Sequence, residues 1–131
     1  MIFEIRLRKL MVALIEEGFI PYVYREGRYT ERLATIKDVP RGKVIYHIES
    51  DIFKAKEILG GTTCFSGGPS ASMLDIGTPQ EVKNYCIKLI DVVGEGGNFI
   101  MDGEVPLISA KPENVRAMVE FTSICAASAS I

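Results

Sequence analysis

The chain has no apolar run approaching the roughly 20 residues that a membrane-spanning helix requires, which argues against a membrane protein. It also lacks any excess of positive charge. The formal net charge is -2, with both signs spread along the 131 residues, so no basic stripe is offered to nucleic acid. Cysteine is scarce, and Cys64, Cys86 and Cys125 form no CxxC pair. An odd, scattered set fits a reducing compartment rather than a disulfide framework or a sulfur-rich zinc site. The opening MIFEIRLRK lacks the basic segment, apolar segment and cleavage site of a secretory signal. A cytoplasmic protein is therefore expected. No domain boundary is visible, and the only low-complexity tract is the Ser/Ala tail 126–131, which is expected to be flexible. Histidine occurs once, at His47.

What is present is a repeated strand-then-helix pattern. Leu7, Leu10, Met11, Leu14 and Ile15 mark one face of a helix over 6–17, which Gly18 stops. The all-apolar run Ile20 to Tyr24 predicts a buried strand, and the polar stretch Tyr29 to Asp38, with Leu33 and Ile36, a short crossover helix. Lys43 to Ile48 is rich in β-branched and aromatic residues and predicts a second strand. Ser50 or Asp51 can cap a helix through Leu59 that turns Ile52, Ala55 and Leu59 inward, and Thr62 to Ser66 is the third strand. Thr78, Pro79 and Glu81 combine a cap, a first-turn proline and a capping box. Val82, Tyr85, Cys86, Leu89, Ile90 and Val93 then form one apolar stripe. Asn98 to Met101 is the fourth strand, and Pro112 opens a last helix with Val115, Met118 and Val119 inward.

Strands alternating with helices through short loops imply parallel pairing with right-handed crossovers. A (β/α)₈ TIM barrel has eight such units over typically about 250 residues. The fold expected is thus α/β, a partial barrel of four C-terminal units in a single domain. An open half-sheet exposes unpaired edges and an uncovered face. It is expected to close with a missing N-terminal half or as a homodimer burying Tyr22, Val44, Phe65 and Ile100 or their strand neighbours.

DIFKAKEILG (Asp51 to Gly60), the Gly67 to Pro69 segment, GTPQEV (Gly77 to Val82) and PENVRAM (Pro112 to Met118) resemble the C-terminal half of the uroporphyrinogen decarboxylase superfamily. That superfamily includes the decarboxylase of tetrapyrrole biosynthesis and cobalamin-dependent methyltransferases. The resemblance implies a TIM barrel with its active site at the C-terminal mouth, and a fragment related to corrinoid-dependent methyl transfer. A corrinoid on a partner protein would then be the methyl carrier. The alternatives are a uroporphyrinogen decarboxylase and a catalytically silent fragment or assembly module. In the methyltransferases a His-x-Cys-Gly motif and a later Cys bind zinc. The matching places here read Tyr24-Arg25-Glu26-Gly27 and Asp102-Gly103-Glu104. The decarboxylase's His-bearing loop after the last strand reads Gly103 to Pro106.

The candidate site residues follow from these positions. His47 lies near the end of a predicted strand, where barrels keep catalytic groups; its plain alternative is a hydrogen-bonded structural histidine. Glu26 and Glu104 can act as acid/base groups, or join His47 as ligands of a divalent metal such as zinc. Each is equally readable as a solvated loop carboxylate. Gly67 and Gly68 could let backbone N–H groups approach an anionic cofactor, or simply make a tight turn. Asp51 reads as a helix cap, Cys86 as core, and Tyr22 and Tyr24 as barrel filling or a surface on which a flat ligand stacks.

Overall fold

The structure, a computed structural model, describes residues 2–104 and 107–129. Val105 and Pro106 of the Gly103 to Pro106 loop, and Ser130 and Ile131 of the tail, lie outside the described residues. The elements run α1 (Ile2–Glu16), β1 (Tyr22–Arg25), a 3₁₀ turn (Thr30–Thr35), β2 (Ile45–Ile48), α2 (Ile52–Leu59) and β3 (Cys64–Gly67). They continue with α3 (Ala71–Ile76), α4 (Pro79–Lys88), a π segment (Leu89–Val93), β4 (Phe99–Met101) and α5 (Pro112–Ala129). The four strands form a parallel sheet in chain order, β1-β2-β3-β4. No helix among the described residues is long and apolar enough to cross a membrane. Two compact units divide the chain, Met1–Ser66 with Asn98–Ile100, and Gly67–Gly97 with Met101–Ile131.

In the first unit, alternate residues of the strands point to opposite sides. Tyr46, Ile48 and Phe65 lie on the covered side and are buried, as are Met11 of α1, Leu33 and Ile36, and Ile52, Ala55 and Leu59 of α2. The expected crossover helix is a 3₁₀ turn because its two apolar residues, Leu33 and Ile36, are three apart, a spacing that eclipses at three residues per turn. β1 begins at Tyr22 rather than Ile20. Pro21 has no N–H to give and enters the ladder only through its carbonyl, which accepts from Ile45 N at 2.9 Å. β3 begins at Cys64 rather than Thr62, since the N–H groups of Thr62 and Thr63 are spent on the Leu59 carbonyl that ends α2. The Asp51 carboxylate caps α2 as expected, accepting from Phe53 N and Lys54 N at 3.1 Å each.

The second unit is helical. Ser70 Oγ accepts from Met73 N at 3.1 Å and starts α3, a helix the sequence reading left out. At α4 the capping box is complete: Thr78 Oγ1 accepts from Glu81 N at 3.2 Å, and Glu81 Oε2 accepts from Thr78 N at 2.8 Å. The apolar stripe continues past Lys88 as a π segment, in which Gly94 N reaches back to Leu89 O, and Val82, Cys86, Leu89 and Val93 are all fully buried. Leu74, Val82, Cys86 and Met118 make the core, with Phe121 packed against it. Val119, expected inward on α5, is instead 54% exposed. Asn114 takes the inner position one turn before Met118, donating to the carbonyls of Leu74 at 3.0 Å and Gly77 at 2.9 Å near the end of α3. Neither carbonyl has an intrahelical partner, and the Asn114 amide, with Lys111 N at the Leu74 carbonyl, replaces water there.

Two of the four residues expected to await a partner do not. Val44 and Phe65 are buried within the chain itself, on the side the helices cover, whereas Tyr22 at 41% and Ile100 at 44% are exposed.

Candidate functional site

The parallel register of the first unit sets Tyr24 beside His47, and His47 beside Ser66. Because side chains alternate, Tyr22, Tyr24, His47 and Ser66 share the side of the sheet opposite Tyr46 and Phe65. His47 and Ser66 stand one residue before the C-terminal ends of β2 and β3.

Ser66 Oγ lies 2.6 Å from the Tyr22 hydroxyl and 3.1 Å from His47 Nδ1. Both His47 and Ser66 are buried. Ser66 has a single proton, so the chain can polarise in either direction. If Tyr22 donates to Ser66 and Ser66 to Nδ1, the imidazole proton sits on Nε2; reversed, Nδ1 donates to Ser66 Oγ and Ser66 to the Tyr22 hydroxyl. The Tyr24 ring stacks against the imidazole with centroids 4.7 Å apart, and meets Tyr22 edge-on at 5.3 Å. Tyr24 is 48% exposed, so two part-exposed phenol rings border a buried histidine held by hydroxyls. Such an arrangement can hold or move a proton beside a flat, apolar ligand surface.

The other expected site residues are placed differently. Glu26 is exposed in the loop after β1. That loop is held by Glu49, which follows β2 and accepts from Gly27 N at 3.2 Å. Glu104 belongs to the second unit, where its Oε2 accepts from Ala71 N at 2.6 Å and so braces the start of α3. Gly68 is required by a close backbone approach, since a Cβ there would come within 1.8 Å of the Asp102 carbonyl oxygen. Gly67 is a buried strand residue whose carbonyl accepts from Asp102 N at 3.0 Å. Among the described residues no group of three or more His, Cys, Asp or Glu side chains is gathered that could hold a metal ion.

No family model, characterised protein or solved structure matches the chain.

Neither Cys86 nor Cys64 is a ready nucleophile. Burial, with a smaller contribution from Cys125, pushes the Cys86 thiol up to about 11, and burial raises Cys64 as well, so neither is poised as a thiolate. Sequence reasoning singled out His47 but missed Ser66 and Tyr22 as its partners. Period-two alternation could have placed them on one face, but only the strand register brings them together.

Proposed function

We propose that the chain is the C-terminal half of a barrel enzyme of the uroporphyrinogen decarboxylase superfamily, and that the face carrying Tyr22, Tyr24, His47 and Ser66 receives a tetrapyrrole. The observation that carries this reading is the His47–Ser66–Tyr22 hydrogen-bonded chain, with His47, Ser66 and the part-exposed Tyr24 ring each one residue before the C-terminal end of its strand. A sheet whose parallel strands follow chain order has no switch point of the kind where open α/β sheets bind ligands, and it suits a barrel, whose chemistry sits at the strand C-termini. The tetrapyrrole would be uroporphyrinogen or the corrin ring of a methyl-carrying partner.

His47 suits the proton step of a decarboxylation better than the activation of a thiol. Loss of carbon dioxide leaves a carbon that must be protonated; His47 can give it the Nε2 proton while Nδ1 takes one from Ser66, which Tyr22 and then water replace. Glu104 Oε2 accepts from Ala71 N at the start of α3 and Glu26 is exposed in its loop, and no step of this reading runs through a metal. Barrel sites draw residues from strands all round the mouth, so this chain alone is expected to release no carbon dioxide from uroporphyrinogen.

Binding is the test, because it does not require the remaining strands to complete the chemistry. Quenching of uroporphyrin fluorescence and absorbance titration with cobalamin are expected to show saturable binding of at least one of them. An aromatic contact worth about 0.5–1.5 kcal/mol makes Tyr24→Ala weaken it by roughly two- to tenfold. Binding of neither tetrapyrrole, or binding that Tyr24→Ala leaves unchanged, would overturn the reading.

A further inference from the structure

Two thiols belong to the second unit, Cys86 on α4 and Cys125 on α5. Three contacts set the register of these helices. Near the start of both, the Asn114 amide donates to the Gly77 carbonyl, just before the Thr78 cap of α4. A turn further along, Met118 shares one core with Val82 and Cys86. Phe121 lies against the same core, with the Lys83 ammonium 4.9 Å from its ring centroid. Contacts that advance together along both chains mean that α4 and α5 run side by side in the same direction. Cys125 follows Met118 by two turns on the same face, which brings it level with the last turn of α4, where Cys86 sits. The proximity is felt at Cys86, whose thiol is raised by burial and, to a smaller extent, by Cys125.

The two sulfurs differ in access. Cys86 is fully buried, whereas Cys125 is partly exposed. A small oxidant dissolved in water therefore meets Cys125 first, and Cys86 stands behind it on the core side. Closure of a disulfide brings the two Cα atoms to about 5.5–6 Å. Past Phe121 the inner positions of α5 carry only the small side chains of Thr122 and Cys125, so no bulky residue of α5 holds the helices apart at that level.

We propose that Cys86 and Cys125 are a redox pair, closed by hydrogen peroxide into a disulfide that clasps the end of α5 to α4. The Cys125 sulfur attacks one peroxide oxygen, the O–O bond breaks, and a sulfenic acid and one water result, the thiol proton leaving with the hydroxide. The Cys86 sulfur then attacks the sulfenic sulfur. The S–S bond forms, the S–O bond breaks, and the Cys86 proton departs with hydroxide as a second water. The two thiols lose two electrons and two protons, and these reduce one peroxide to two waters. Cys86 needs no lowered pKa for this step, since its target is held beside it. In a reducing compartment such a bond is transient, reopened by a dithiol. The pair lies in the other unit from the Tyr22–Ser66–His47 face, so either proposal can fail without the other.

The test is to treat the folded chain with hydrogen peroxide, block the remaining thiols with iodoacetamide and map the unreduced digest by mass spectrometry. A Cys86–Cys125 cross-linked peptide pair is expected within one chain, lighter than its two thiol peptides by two hydrogen atoms, with Cys64 outside the link. Dithiothreitol is expected to reopen it. Cys125→Ser is expected to abolish the link and leave Cys86 reduced, and Cys86→Ser to strand Cys125 as a sulfenic acid that dimedone captures. Should Cys86→Ser not fold, wild type and Cys125→Ser decide. Amide hydrogen exchange in the last turns of α5 is expected to slow at least about tenfold on oxidation. A link from Cys64 to either thiol, a disulfide joining two chains through Cys125, or wild-type Cys125 captured by dimedone while Cys86 stays reduced would overturn the proposal. So would unchanged exchange of α5 in the cross-linked chain.

Discussion

The two sides of the first three strands are built from similar residue types and treated differently. Tyr46 on the covered side is fully buried among Met11, Leu33 and Ile36, while Tyr22 and Tyr24 on the other side keep two-fifths or more of their surface exposed. On the covered side Arg25 Nη1 is met by Glu4 and Tyr29 and the Tyr46 hydroxyl by the Ile36 carbonyl, all from elements packed on it. The other side meets them within the strands, from Ser66 to Tyr22 and His47. Stability is thus concentrated on one side of the sheet. A buried histidine bonded to Ser66 beside part-exposed rings is the feature on which the proposed function rests.

The contrast is sharpest when one aromatic ring is removed from each side. Phe65→Ala removes a fully buried ring from the covered side and is expected to cost about 3–5 kcal/mol, read as a lowered denaturation midpoint. Tyr24→Ala, on the other side, is expected to cost under about 1 kcal/mol, in keeping with a part-exposed position, while weakening tetrapyrrole binding. Equal losses from the two substitutions would break the comparison.

Caps in the second unit provide a smaller, local scale. Thr78→Ala removes the side-chain acceptor of the α4 capping box and is expected to cost about 1 kcal/mol. Its partner gives the smallest effect and the clearest sign. The Thr78 backbone N–H, then its hydroxyl, hold the Glu81 carboxyl below its usual 4.5. A carboxylate depressed in the folded state stabilises above its unfolded pKa, and that contribution fades as the pH falls through the lowered folded value. Wild type minus Glu81→Gln stability is expected to be constant at neutral pH and to shrink only below about pH 4.5.

How much of this was legible depended on how local the cause was. Thr78, Pro79 and Glu81 could be read directly because a cap is satisfied within one turn. The strand-helix order could be read because each element carries its own period. Val119 was misplaced because periodicity gives the width of an apolar face but not which neighbour it meets; Asn114 owes its inner position to the free carbonyls of α3. That helix has six residues between Ser70 and Gly77, too few for a period to register. His47 stood out as the single histidine near a strand end. Ser66 and Tyr22 did not, since pairing residues from three strands requires a register fixed by tertiary structure. Arg25 was passed over because it follows the expected strand Ile20 to Tyr24 and reads as a loop charge until Glu4, from the preceding helix, is known to meet it.

Because His47 is the only histidine, its ring nitrogens can be observed without assignment in a long-range ¹H–¹⁵N NMR spectrum. Ser66→Ala removes the hydroxyl at Nδ1 while leaving the rings of Tyr22 and Tyr24 in place. If the hydrogen-bonded chain orders the imidazole as the geometry requires, the folded variant will show a moved Nδ1 resonance and an altered tautomer balance. Ring-nitrogen shifts identical in folded wild type and folded Ser66→Ala would mean that Ser66 does not hold the histidine, and the account of this face as a proton-handling site would be contradicted.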